Sequence, residues 1–304
     1  MPLGAAHVTK ATAASFIPAI WSDEVIAAFK KKLVMANLIK SMSFVGKKGD
    51  SVRIPAPTRG VASVKAASTQ VMLQAATESE RIISINKHFE YSRLIEDIVE
   101  IQALASMRGF YTQDAGYALA RQIDTDLIQL GRSVQGGAGT NVYANGFSGA
   151  DGVTPYVAGT NVGLGSITDI ALRRSIQRLD DADVPMEDRF LVVPPSSMNS
   201  LRGTARFTEQ AFIGSGTAIS TGKMGDLYGT PVYVTTNTDV TSGATAARVV
   251  ILGHKDFAVL AMQKEVRSQT QYKQEYLGNL FTADVLYGMG ELRDDACVVL
   301  IVPA

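Results

Sequence analysis

The stretch from Ser51 to Lys87 constrains the fold more than any other part of this chain. Val52-Arg53-Ile54-Pro55 reads as one strand. The alternation after Arg81 reads as another, with Ile83, Ile85, Lys87 and Phe89 on one side and Ile82, Ser84, Asn86 and His88 on the other. Between them, Thr58 to Ser79 is rich in Ala, Ser, Thr and Gln and poor in large apolar side chains. The turn Gly46-Lys47-Lys48-Gly49-Asp50 leads in from an extended piece, Ser43 to Val45. The whole is therefore a long hairpin. Pro55 and Pro57 end its first strand or keep it at an edge, because proline gives no hydrogen to a ladder. A two-stranded ribbon alone is marginal in water, so this one needs something to lie on. Ahead of it runs an Ala/Thr-rich arm with no period before Phe16. An arm and a projecting ribbon in one chain predict surfaces that neighbouring copies complete.

Charge balance agrees with crowding of copies. Lys plus Arg is 29 and Asp plus Glu is 29, a formal net charge of zero. A monomer that gripped nucleic acid on its own would carry a basic surplus. Neutrality instead removes a barrier to packing subunits side by side, at the expense of solubility as free subunits. The 304 residues, 46% hydrophobic and 19% charged, suit one elaborate domain or two ordinary ones. Cys297 is the only cysteine, so an intrachain disulfide and a thiolate cluster are both excluded. It lies in the apolar run Cys297 to Val302, where a buried, inert thiol is expected, and a reducing compartment suits the chain. Lys10 with Ala11 to Ile20 has the outline of a signal-peptide core. Pro18 and the following Asp23-Glu24 spoil it, so export is not expected. No apolar stretch is long enough to span a bilayer.

The rest reads as α+β. Ser22 caps a short helix carrying Val25, Phe29 and Leu33, with Trp21 ahead of the cap and Lys30-Lys31-Lys32 on its solvated flank. A helical piece is expected from Tyr91 to Ser106 and a break at Gly109. A long helix follows, with Tyr111, Ala115, Leu119, Ile123, Leu127 and Leu130 as its apolar stripe and Gly131 as its C-cap. Gln135 to Gly165 is a long loop or a set of short hairpins. Ser166-Ile167-Thr168-Asp169 resembles a capping box and opens a helix to about Leu179. A fully apolar strand, Arg189 to Val193, stops at Pro194-Pro195, and a helical turn runs from Ser196 to Arg202. After the Gly-rich stretch 203–225 come Tyr228 to Val234 and five strand-like segments: Arg248 to Leu252, Phe257 to Met262, Val266 to Tyr276, Asn279 to Tyr287 and Ala296 to Val302.

Catalytic and ligand motifs fail on spacing. His7, His88 and His254 are far apart and form no ligand-spaced pair, so each is an ordinary surface or strand residue. Gly214 to Met224 approaches a P-loop, but Thr217 stands where the first glycine belongs and Met224 follows Lys223 in place of Ser or Thr. Gly136-Gly137-Ala138-Gly139-Thr140 follows a helix and has no adjacent lysine. Gly146-Phe147-Ser148-Gly149 lacks the spacing of a nucleophile elbow, and no Rossmann fingerprint is seen. Asp114, Asp124 and Asp126 could be imagined as metal ligands, but their spacing reads as solvated helix faces. No catalytic, cofactor-binding or metal-binding residue is assigned, and no cofactor is implied.

Several segments, taken in order, are similar to the major capsid proteins of tailed bacteriophages with the HK97-type fold. Trp21-Ser22-Asp23-Glu24-Val25 with Phe29, Leu33 and Asn37-Leu38 resembles their N-terminal arm. Gly49-Asp50-Ser51-Val52-Arg53-Ile54-Pro55 resembles the strand that opens the extended E-loop, and Ile83 to Lys87 with Tyr91 and Ile95-Glu96-Asp97 its return. Ile123 to Leu127 resembles the end of the spine helix. Leu179-Asp180, Val184-Pro185, Arg189 and Val192-Val193-Pro194 resemble the start of the axial domain. Gly229 to Tyr233 and Tyr287-Gly288 before Arg293 complete the run. The resemblance implies an α+β, HK97-like fold divided into an N-terminal arm (1–42), an E-loop (43–90), a peripheral domain with the spine helix (91–165), an axial domain (166–262) and C-terminal strands (263–304). It further implies hexamers and pentamers in an icosahedral head around double-stranded DNA. Scaffolding, portal and cement proteins would be partners, with no membrane. Some relatives crosslink their shells; Lys65 lies in the expected E-loop, but no partner asparagine or catalytic acid matches, so that chemistry is not carried over. Two other readings stay open: an encapsulin-type compartment shell, and an enzyme with a dispersed site.

Overall fold

The computed structural model describes residues 34–57, 60–71, 73, 78–97, 107–133, 146–157, 162, 164–204, 225–241 and 247–304. In chain order the elements are α1 (Met35–Leu38), β1 (Lys40–Ser43), β2 (Ser51–Pro57), β3 (Glu78–Ser84), β4 (Lys87–Glu96), α2 (Met107–Gln129) and β5 (Phe147–Ser148). Then come α3 (Asp169–Asp181), β6 (Arg189–Val193), α4 (Pro195–Arg202), β7 (Asp226–Leu227), β8 (Thr230–Val234) and β9 (Val240–Thr241). The chain ends with β10 (Ala247–His254), β11 (Ala258–Lys273), β12 (Gly278–Glu291) and β13 (Cys297–Pro303).

A four-stranded sheet runs in the order β1-β11-β12-β4. Its period-two pattern puts Phe89, Tyr91, Phe281, Ala283, Val285 and Tyr287 on one face, where they share a core with Ala115, Leu119, Ile123 and Leu127 of α2. That stripe recurs every four residues, so one side of the helix lies on one side of the sheet. Full burial of each large side chain there contributes about 1.5–3 kcal/mol. The opposite face carries His88, Glu90, Asp284 and Arg267 in neighbouring rows.

The second sheet runs β5-β13-β10-β6-β8-β7, with β9 paired to β10. Every residue of β6 is buried, as are the first six of β13. Strands covered on both faces need no polar alternation, which explains the unbroken apolar runs in the sequence. Buried Arg189 begins β6. It donates to the carbonyls of Pro185 (2.9 Å) and Val184 (2.6 Å) and to Asp180 (2.6 Å), so its charge is fully engaged. Between β7 and β8, Tyr228 and Gly229 both take positive φ (51° and 75°), as a two-residue hairpin turn requires. The Tyr228 hydroxyl donates to Asp169.

Several expectations are corrected. Tyr91 to Glu96 is strand, not helix: Phe89 and Tyr91 face α2 at period two, and β4 pairs with β12 from Lys87 to Glu96. Gly109 lies inside α2 and does not break it, and Gly131 sits in a 3-10 turn, Leu130–Arg132, that tightens the helix end in place of a left-handed cap. Thr168, not Ser166, caps α3, its side chain accepting from Ala171 N. Phe257 to Met262 and Val266 to Tyr276 are not two strands but one, β11. The irregularity at Gln263 and Glu265 is a pair of register shifts against β12. Helix α1 was not anticipated. The expected helix from Ser22, residues 98–106, and the glycine-rich stretches at 136–140 and 214–224 lie outside the described residues.

Candidate functional site

Strands β2 and β3 pair only with each other, from Ser51↔Ser84 to Pro57↔Glu78, as a ribbon apart from both sheets. Arg53 donates across it to Glu80 (2.9 Å), and Ser79 to the carbonyl of Ala56 (2.8 Å). Both prolines of β2 lie within the strand, whose other edge has no partner among the described residues. At the far end Val61, Val64, Val71 and Leu73 are exposed, Val64 and Leu73 almost completely. Lys65 is exposed there as well. A segment with this much apolar surface and no core of its own gains little by folding alone.

The root of the ribbon is built differently. Ile83, Val259 and Ala261 form a small separate core, flanked by Met42, Phe44, Val52, Ile54, Ile85 and Leu292. Two glycines on one face of β12 admit the ribbon. A methyl on Gly288 would stand 2.5 Å from the Ser84 carbonyl oxygen and 2.9 Å from Ile85 Cα, and one on Gly290 3.0 Å from Ile83 Cγ1. Gln263, at the β11 bulge, donates to the carbonyls of Lys47 and Gly49 (both 2.9 Å) and fixes the turn below β2. Arg81 reaches Asp294 at 3.2 Å. Arg81 is exposed and Asp294 half-buried, so this strap is worth about 0–1 kcal/mol. Glycines two apart inside a strand signal close backbone approach, which is how Gly288 and Gly290 could have been found from sequence. The Arg81 strap left no local signal.

Buried charges tie the elements that carry the root. Asp124 and Asp126 are not on solvated faces as expected; both are buried. Asp124 accepts from the backbone N of Val34 (3.0 Å) and Met35 (2.8 Å), holding the start of α1, and from Asn237 Nδ2 (2.8 Å). Asp126 accepts from Lys87 Nζ (2.8 Å), Gln122 Nε2 (2.9 Å) and the Tyr287 hydroxyl (2.8 Å), joining α2 to β4 and β12. Burial, reinforced by the bond to Asp126, pushes the Tyr287 hydroxyl far above its ordinary pKa. Asp114 accepts from the Tyr91 hydroxyl (3.0 Å). Cys297 is fully buried, and that burial raises its thiol pKa. His254 is buried at the end of β10, where its Nδ1 accepts from Asp256 N (3.1 Å).

Among the described residues no group of three or more His, Cys, Asp or Glu is placed to hold a metal ion, and no helix is long and apolar enough to cross a membrane. The arrangement is an anchored ribbon with exposed apolar residues at its free end.

Comparison with known proteins agrees. The model of the phage capsid protein family matches residues 37–299. The fold is similar to that of a structure of Mycobacterium phage Che8, at 21% identity and a TM-score of 0.75, over 94% of this chain and 97% of that one. It is similar to the capsid of cyanophage P-SCSP1u, at 17% identity and 0.72, over 96% and 94%. It also resembles the capsid of a native GTA particle, at 13% and 0.65, over 99% and 100%. No curated protein matches the chain. The chain belongs to the phage capsid protein family, a structural protein of the virion shell.

Proposed function

We propose that this chain is the major subunit of an icosahedral head, self-assembling into hexamers and pentamers around double-stranded DNA. The observation that carries the proposal is the ribbon. Its root is locked to the body by Gly288 and Ile83, while Val61, Val64, Val71 and Leu73 are exposed at its free end. Such a ribbon is stabilised when it lies on a neighbouring copy. We read residues 1–42 as an arm, 43–90 as the E-loop, 91–165 as the peripheral domain, 166–262 as the axial domain and 263–304 as returning strands. These are regions of sequence more than folding units, because β11 runs through position 262 unbroken. Scaffolding and portal proteins would guide assembly in the host cytoplasm, and a cement protein would be a further partner. Contact with the enclosed DNA would be non-specific, since a net charge of zero supplies no general electrostatic grip on it, and the role proposed is structural, not enzymatic.

The test is negative-stain electron microscopy of the purified chain, expressed alone and with its scaffolding protein. Closed shells or capsomer rings are expected. A stable monodisperse monomer or dimer under both conditions would overturn the proposal. Shells that enclose a cargo protein and no DNA would replace the head with a protein compartment.

A further inference from the structure

The loop after β5 is clamped to one flank of α3. Thr168 donates to the Ala150 carbonyl (2.6 Å) and Arg174 Nη1 to that of Asp151 (3.2 Å). A side chain on Gly152 would stand 2.9 Å from the Ala171 carbonyl oxygen. The Asp151 carboxylate is taken up by its own loop, accepting from the backbone N of Val153 (2.9 Å) and Thr154 (3.0 Å) and from the Thr154 hydroxyl (2.5 Å). Beside this loop the Arg178 guanidinium lies over the Phe147 ring, 3.4 Å from its centroid.

Arg174 and Arg178 stand four apart on α3, so they share that flank, and like charges at this spacing destabilise a helix. Other arginines meet carboxylates: Arg173 pairs with Asp169, Arg189 with Asp180, Arg132 with Asp239 and Arg267 with Asp284. Among the described residues no carboxylate pairs with Arg174 or Arg178. Asp181, three residues beyond Arg178, is exposed and pairs with neither. Nη1 of Arg178 is buried and has no hydrogen-bond partner. Burial, and after it the charge of Arg174, lowers the Arg178 pKa, as expected of a cation held without its counter-charge. The Phe147 ring attracts the charge but gives the N–H groups no acceptor in their plane. A buried donor left without a partner is costly, and each such group calls for a reason.

We propose that Arg174 and Arg178 form a seat for a phosphate group, supplied in the shell by the backbone of the enclosed DNA. Arg174 is exposed and Arg178 half-buried, so an anion reaches their outer N–H groups and balances the charge that the fold leaves bare. Two guanidinium forks one turn apart match the oxygens of a phosphate, and the aromatic stack holds one fork in a fixed plane. DNA is the favoured source because the chain has no net charge. Contact with a polyanion must then come from local cations without counter-charges, which these two are. The assignment rests on the shell reading above and adds which residues meet the nucleic acid.

The experiment takes unassembled wild type, R174Q and R178M. Each is titrated with inorganic phosphate against chloride at equal ionic strength, with the arginine Nε–H signals followed by NMR. Each is also titrated with a short DNA duplex over a range of salt. Saturable shifts at Arg174 and Arg178 are expected in phosphate alone, and either substitution abolishes the shift at the other arginine. Each substitution also lowers the salt slope of duplex binding by about 1, the loss of one neutralised phosphate. Because Arg178 has no counter-charge to lose, R178M melts no lower than wild type. Shifts that fail to saturate, or that chloride reproduces, overturn the seat. A phosphate response with an unchanged duplex slope makes the site one for a free oxyanion and overturns the DNA assignment. An R178M that melts lower, with R174Q binding the duplex as wild type does, makes Arg178 a structural stack and overturns the proposal. All of these are read on subunits, whereas the shell reading fails only where closed particles do not form, so the two failures are distinct.

Discussion

Asp284 lies where β4, β11 and β12 adjoin, on the face of the sheet away from α2. It accepts from Lys264 Nζ (2.6 Å), Arg267 Nε (3.1 Å) and His88 Nε2 (3.3 Å), with Glu90 opposite it in the ladder. The Lys264 bond above all, with help from Arg267 and His88, holds its carboxyl at about 2. A carboxyl depressed in the folded state stabilises the fold above its unfolded pKa of about 3.9, and that contribution is lost as pH falls toward the folded value. D284N leaves Lys264 and Arg267 together without their counter-charge. Its deficit in urea midpoint against wild type is expected to be full above about pH 4 and to vanish by about pH 2. A deficit unchanged over that window would show that Asp284 acts by packing alone. Groups of this kind were the least legible in the sequence. Asp124 and Asp126 sit among polar neighbours on an exposed-looking stretch of helix. Nothing local marks them as buried, because apart from Gln122, four residues from Asp126, their partners are 39 to 161 residues away.

At the scale of elements, the ribbon root rests on two glycines whose tolerances differ. At Gly288 a methyl would meet the backbone of Ser84 and Ile85, which cannot yield without moving β3; at Gly290 it meets the side chain of Ile83. G288A is therefore expected to cost about 1–3 kcal/mol and to open the ribbon to limited proteolysis, with G290A milder in both. Equal effects, or the reverse order, would mean that the ribbon is not seated through backbone contact. Period decided what the sequence could reveal here. Phe190 to Val193 and Val298 to Val302 were readable as buried strands because they are apolar throughout, and α2 because its stripe recurs every four residues. Tyr91 to Glu96 misled because Leu94 and Ile95 interrupt the alternation, and β11 read as two strands because its bulges reset the register.

For the whole molecule, the proposed shell places stability and assembly in different parts of the chain. The large core joins α2, both sheets, α3 and α4, whereas beyond Ile54 on β2 and Ile83 on β3 the ribbon adds exposed surface and one weak strap to the body. Its order as a free ribbon opposes a conformational entropy cost with few buried contacts, which in the proposed shell a neighbour offsets. Replacing residues 56–79 by an Asn-Gly turn keeps Val52, Ile54 and Ile83 in the root and provides a connection suited to a two-stranded hairpin. The unassembled protein is then expected to melt within about 2–4 °C of wild type, the shift of roughly 1 kcal/mol in a chain of this size. Calorimetry of the dissociated subunit would read that value, and sedimentation would read the loss of shells and capsomer rings. A truncated chain that still closes shells would move the assembly contacts off the ribbon and onto the body. A truncated chain that unfolds would make the ribbon part of the subunit's own core, contrary to its exposed far end.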